Sequence, residues 1–160
     1  KPEQEAYRFL LAYVSAKLNQ PDSVEYWLNI GSQKRPVAGE DYYKIGTGFG
    51  KAAGNFPLAI EYLKRATEAS PKVELYWEDL GVACGLSGRY QEAIDAANHL
   101  VALNPKYKAA YMNLFVSYKM IGNLKMSEES YNKARELDPT MPAYNSQPQS
   151  GNFSQRPGNK

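Results

Sequence analysis

The chain has 160 residues, 43% of them hydrophobic, and a formal net charge of +2. That content suffices for a packed core, while the near-neutral balance supplies no field to draw the chain to nucleic acid or to an acidic surface. The single Cys84 excludes an internal disulfide and a cysteine-rich metal site, and no apolar run approaches the roughly 20 residues of a membrane span. Thirteen tyrosines predict many half-buried rings with their hydroxyls in water. The start at Lys1, with no initiator Met and no signal-like segment, reads as a fragment or processed chain, soluble, of the cytoplasm or periplasm.

Pro2, Glu3 and Glu5 suit the first turn of a helix that runs to about Leu18 and breaks at Asn19-Gln20. Pro21 and Asp22 open a second helix with an apolar stripe of Val24, Trp27, Leu28 and Ile30, closed by Gly31 and Pro36. The next helix is expected over Tyr43 to Lys51, softened by Gly46, Gly48 and Gly50, each of which costs about 1 kcal/mol relative to Ala in a helix interior. Gly54-Asn55 turns the chain, Phe56 to Ala69 forms a stronger helix, and Ser70-Pro71 ends it. The stretch Glu74 to Tyr107 then gives two more helices, and Lys108 to Met141 another two, turning at Gly122-Asn123 and stopping at Asp138-Pro139. Residues 142–160 are polar and read as a flexible tail, with Tyr144 and Phe153 as its only aromatics.

These pairs repeat. Trp77, Leu80, Gly81, Cys84, Gly88, Tyr90, Ala93, Ile94, Leu100, Leu103 and Pro105 have counterparts 34 residues upstream in Tyr43, Gly54, Phe56, Ala59, Ile60, Ala66 and Pro71. Downstream by 34 stand Tyr111, Leu114, Tyr118, Gly122, Leu124, Ala134, Leu137 and Pro139. A fixed period of this length marks a stacked array, because one pair cannot bury its own apolar face. The units are 5–38, 40–73, 74–107 and 108–141, with one extra residue near Gly39. In each first helix one stripe faces its partner (Trp77, Leu80, Gly81, Cys84), while a second (Leu75, Glu78, Asp79, Val82, Leu86) is not required by packing.

The aromatic, Leu-Gly, Gly-x-Tyr, Ala, Ala-x-x-Leu and Pro at this period resemble the tetratricopeptide repeat family, from about Glu5 to Met141. The resemblance implies an all-α, right-handed α-solenoid of about four antiparallel helix pairs whose first helices line a concave groove. In the family that groove commonly binds an extended peptide or a partner helix. On that pattern the groove residues here are Leu10, Tyr13 and Lys17, then Asp41, Lys44, Ile45 and Lys51. Leu75, Glu78, Asp79, Val82 and Leu86 follow, and then Ala109, Met112, Asn113, Val116 and Lys119. Gly46 stands where the family usually has Leu, Phe115 where it has a small residue, and Leu100 and Ser127 where it has Ala. Glu78 and Asp79 argue against the carboxylate clamp of co-chaperone members, and Asn113 alone makes no asparagine ladder of the sugar-transferase kind. The expected surface has apolar rungs, an acidic centre and lysines toward both ends.

Catalytic motifs fail on inspection. Gly46-Thr47-Gly48-Phe49-Gly50-Lys51 has neither the spacing nor the Ser/Thr of a phosphate loop and reads as a glycine-rich helix in tight contact with its neighbours. Ser130-x-x-Lys133 lacks its companion motifs. His99 is the only histidine and reads as a surface residue, and the adjacent acids Glu78-Asp79 and Glu128-Glu129 diverge on a helix. The sequon Asn152-Phe153-Ser154 carries meaning only in a secretory compartment. The expectation is a non-catalytic adaptor or scaffold that captures a peptide or protein, with no cofactor, no metal, no nucleic acid and no membrane insertion. The alternatives are a homo-oligomer built end to end through an uncapped C-terminal repeat, with Leu124, Tyr131 and Ala134 on its open side, and a docking arm of a larger enzyme or membrane protein. The tail, with Tyr144, Phe153, Arg156 and Lys160, is a candidate placeholder for the groove.

Overall fold

The computed structural model describes residues 2–33 and 35–144, with side chains from Tyr7 onward. Among these residues lie eight α-helices and no strand. They are α1 (Pro2–Lys17), α2 (Pro21–Ser32), α3 (Gly39–Thr47), α4 (Phe56–Ala69), α5 (Glu74–Leu86), α6 (Tyr90–Leu103), α7 (Lys108–Met120) and α8 (Leu124–Leu137). A π-helical turn, Gly48–Ala52, continues α3.

Local chemistry sets the boundaries. Asn55 and Asn123 cap α4 and α8, their side-chain oxygens accepting from Leu58 N at 3.3 Å and Met126 N at 3.2 Å. Between the helices of each later pair, Gly54, Gly88 and Gly122 hold φ of 69°, 75° and 79°. That left-handed conformation favours glycine. Asn19, at φ 55°, does the same task in the first unit.

Each helix packs on its own partner (α1 on α2, α3 on α4, α5 on α6, α7 on α8), and each later first helix also packs on the unit before it. Alanines carry much of this. Ala59, Ala66, Ala93, Ala96 and Ala97 are buried, and their small side chains leave the larger Val24, Phe49, Ile60, Leu63 and Cys84 to fill the core. A second cluster of Ile94, Ala97 and Leu114 joins the third unit to the fourth.

The glycine-rich helix departs from its expected span of Tyr43–Lys51. It starts at Gly39, because the Asp41 carboxylate reaches back to accept from Ala38 N at 2.9 Å. It then widens at Gly48, where Ala53 N donates to Gly48 O, five residues back, at 3.2 Å. The glycines mark close approaches. A Cβ on Gly46 would stand 2.8 Å from Leu63 Cγ, one on Gly48 3.0 Å from Ala16 Cβ, and one on Gly50 3.1 Å from Ala59 Cβ. Gly46 and Gly50 thus touch α4, and Gly48 touches α1.

Tyrosine hydroxyls expected in water instead bond to protein. Tyr43 donates to Asp79 at 2.8 Å, Tyr107 to Glu78 at 2.6 Å, and Tyr62 to Glu25. Tyr111 and Tyr131 donate to the carbonyls of Pro105 and Pro142, each at 3.0 Å. Tyr43 and Tyr62 reach an acid of a neighbouring unit and Tyr107 one at the start of its own, while the Tyr111 and Tyr131 bonds lie at the exposed surface.

The two ends differ. After α8 the chain turns back, with Arg135 Nε donating to Met141 O at 3.1 Å. Tyr144 lies 6.0 Å from the Phe115 ring and 5.4 Å from the Tyr131 ring, centroid to centroid. The open side of α8 is therefore partly covered: Ala134 is buried, Tyr131 half-buried and Leu124 exposed. At the other end Tyr7, Leu10 and Val14 on α1, with Leu18 just after it, form an exposed stripe. The residues 35 later, Tyr42, Ile45, Phe49 and Ala53, are half-buried or buried. The tail reading for Phe153, Arg156 and Lys160 lies outside the described residues.

Candidate functional site

The first helices carry an open row of apolar side chains: Leu75, Val82 and Leu86 on α5, and Val116 and Met120 on α7, are exposed. Packing does not consume these residues, which is why the second stripe was legible in the sequence. Met112 and Ala109 are half-buried on α7, as is Tyr13 on α1. Lys17 and Lys119 are exposed and lie over the rings of Tyr13 and Phe115, at 5.6 Å and 5.7 Å from the centroids.

Three expected groove residues have other roles. Ile45 is 0% exposed, a core side chain with no surface to offer. Asp41 is buried, where it caps α3 and accepts two bonds from Arg35, at 2.7 Å and 3.0 Å. Asp79 has 12% of its side chain exposed and accepts at one oxygen from both Tyr43 (2.8 Å) and Lys51 Nζ (2.7 Å). Positions 45, 79 and 113 share a register and meet the preceding first helix. Consistently, Asn113 Nδ2 lies 3.5 Å from where a Cβ on Gly81 would be.

The expected acidic centre is accordingly a set of satisfied groups. Lys51 balances Asp79, Lys44 pairs with Glu40 at 2.7 Å, and Glu78 accepts from Tyr107. Burial, followed by the bond to Asp79, holds the Tyr43 phenol well above its ordinary range. The bond to Glu78, with burial second, pushes Tyr107 up to about 12. Both phenols therefore stay protonated donors. Tyr43 also stacks on Tyr76 with centroids 4.7 Å apart. The sequence reading missed these tyrosines as partners of the acids. Their spacing from Asp79 and Glu78, 36 and 29 residues, was the available signal.

Beside this row a cavity of about 240 Å³ opens between α3 with its π turn, α4 and α5. Its walls are Gly46, Gly50, Ala59, Leu63, Val82 and Ala83, with Leu86, Lys51 and Asp79 among the remaining lining residues.

Among the described residues, the groups considered for catalysis have other surroundings. His99 is exposed and stacks on Trp77 at 4.3 Å. Cys84 is fully buried, and burial pushes its thiol up to about 11. Ser130 donates to Met126 O at 2.7 Å, and Lys133 pairs with Glu136. Among the described residues no group of three or more His, Cys, Asp or Glu could hold a metal ion. No helix among them is long and apolar enough to cross a membrane.

Helix pairs stacked in one direction, with first helices in contact along one side, define a right-handed α-solenoid of helix-pair repeats. The tetratricopeptide repeat profile matches residues 51–108. Residues 51–108 thus match the tetratricopeptide repeat family, and the same helix-pair unit recurs on both sides of that match. It is 34% identical over 104 residues to the peroxisomal targeting signal receptor of Kluyveromyces lactis, covering 65% of this chain and 18% of that protein. The chain thus spans less than a fifth of that relative. The crystal structure of MamA superposes with a TM-score of 0.69 at 19% identity, covering 87% of this chain and 81% of the other. The first such domain of Spaghetti (RPAP3), bound to the HSP90 peptide SRMEEVD, superposes with a TM-score of 0.60 at 21% identity, covering 64% and 81%. At these identities the structural likeness shows the fold.

Proposed function

We propose that residues 1–141 act as one protein-interaction module, without catalysis of its own, that holds an extended peptide or protein segment against its first helices. The observation that carries this reading is the open apolar row of Leu75, Val82, Leu86 and Val116, which stays 40–65% exposed after the helices have packed. The Spaghetti domain in complex with an HSP90 peptide, and the likeness to a targeting signal receptor, support it. Asp79 and Lys44 are paired with Lys51 and Glu40, and Glu78 accepts from Tyr107, so the reading assigns affinity mainly to apolar contact and chain shape.

The test is a pull-down with the intact chain and a Val82→Glu, Val116→Glu variant. Both sites are exposed, so the fold should survive, as circular dichroism would check. Asp79 is left intact because it ties two units together. Loss of captured proteins in the variant supports the module. The same set on both chains refutes binding at this row.

Self-association is a second reading, favoured by the exposed stripe of Tyr7, Leu10 and Val14 on α1 and Leu18 just after it. It places the contact at that end, since Tyr144 covers part of the C-terminal one. A mass that rises with concentration, and stays constant when Leu10 and Val14 become Ser, is its signature.

A further inference from the structure

We propose that the cavity between the second and third units is an anchor pocket for one bulky, uncharged side chain, leucine, methionine or phenylalanine, of a bound peptide. The proposal rests on the peptide-capture reading and adds to it the chemistry of the residue that fits. Three observations carry it. The first is size. About 240 Å³ exceeds an engineered cavity of roughly 150 Å³ that takes benzene, and falls below the roughly 300–1,000 Å³ of sites for drug-sized ligands. One side chain is the matching unit.

The second is the lining. Gly46, Gly50, Ala59, Leu63, Val82 and Ala83 present carbon to the space. The polar groups Lys51 and Asp79 are bonded to each other at 2.7 Å, and Asp79 also accepts from Tyr43. A charged guest would find no free counter-charge in that pair and would lose its water. The complement is therefore neutral and apolar.

The third is how the wall is made. The places 34 residues after Gly46 and Gly50 carry Leu80 and Cys84, whose side chains are buried. In the second unit those side chains are missing, and the π turn Gly48–Ala52 moves the backbone instead. Such turns interrupt helices at ligand sites with notable frequency. Here the turn forms part of the cavity wall through Gly50 and Lys51.

Isolated capped amino acids test the pocket without any natural partner. N-acetyl-leucinamide, N-acetyl-phenylalaninamide and N-acetyl-alaninamide would be titrated into methyl-labelled full-length chain, reading the methyl signals of Leu63, Val82 and Leu86. Saturable shifts with the leucine and phenylalanine probes, at least about tenfold weaker with alanine, are expected from the apolar area each buries. Ala83→Leu fills the cavity from its wall and should abolish the shifts. Leu86→Asp, at a position 65% exposed, tests the same point if the filled variant does not fold. Saturation should be unchanged between low and high salt, because the lining pair is satisfied. No saturable shift, equal shifts with all three probes, or shifts that survive both substitutions would overturn the pocket. Probe binding with no captured peptide would fail the capture reading alone, and capture that is indifferent to Ala83→Leu and Leu86→Asp would fail the pocket alone.

Discussion

Replacing glycine by alanine inside a helix ordinarily stabilises it by about 1 kcal/mol, and this chain should show that effect with both signs. Gly85, in α5, has nothing within 4 Å of where its Cβ would stand. Gly85→Ala should therefore gain close to the full propensity term, roughly 0.5–1 kcal/mol. Gly46 differs, because its Cβ would stand 2.8 Å from Leu63 Cγ, 3.1 Å from Leu63 N and 3.2 Å from Ala59 O. Two of those atoms belong to the α4 backbone, so rotating a side chain cannot make room. Overpacking of this kind costs roughly 1–3 kcal/mol, from which the propensity gain of about 1 is subtracted. Gly46→Ala should then lose about 1 kcal/mol. The assay is urea denaturation followed by circular dichroism, comparing midpoints at equal slope. If Gly46→Ala raises the midpoint as Gly85→Ala does, the close approach of α3 and α4 is not what keeps glycine there, and the argument fails.

Ile45→Ala should cost about 2–5 kcal/mol, as for a large aliphatic side chain deleted from a core, while Val116→Ala should change stability by less than about 0.5. The bonds from Lys108 and Thr140 lower the Asp138 carboxyl to about 2. Its contribution to stability is thus complete above its unfolded value of 3.8 and is lost as pH falls toward 2, and a carboxyl NMR titration should move its midpoint up in Lys108→Met. Cys84, buried with its thiol near 11, should resist Ellman's reagent at pH 8 in the folded chain and react fully in denaturant.

How much of this was written in the chain depends on the residue. Helix α4 was legible from Gly54-Asn55 and Ser70-Pro71, because turn residues and proline act within a few residues of themselves. The open stripe on α5 was legible because Leu75, Val82 and Leu86 could not all face the partner helix. The π turn was not, since it follows from the approach of α1 and α4 to Gly46, Gly48 and Gly50, which are contacts made across the fold. The family pattern places Ile45 in the groove, but its register, shared with Asp79, faces the preceding first helix, and Ile45 closes on the core there. The acids were read as a bare charge because their partners Tyr43, Lys51 and Tyr107 lie 28–36 residues away.

Those separations have a mechanical consequence. Tyr43 and Lys51 to Asp79, Tyr107 to Glu78, Lys64 to Glu92 and Lys108 to Asp138 all span 28–36 residues. Tyr43, Lys51 and Lys64 reach from the second unit into the third, whereas Tyr107–Glu78 and Lys108–Asp138 each close one unit on itself. Pulled from its ends, the coil loads those three bridges together at one joint, like stitches side by side in a seam. Small alanine contacts can slide a little without rupture, whereas a hydrogen bond weakens steeply as its angle opens. The polar bridges therefore limit how far the second and third units can flex apart, and Asp79 holds two of the three.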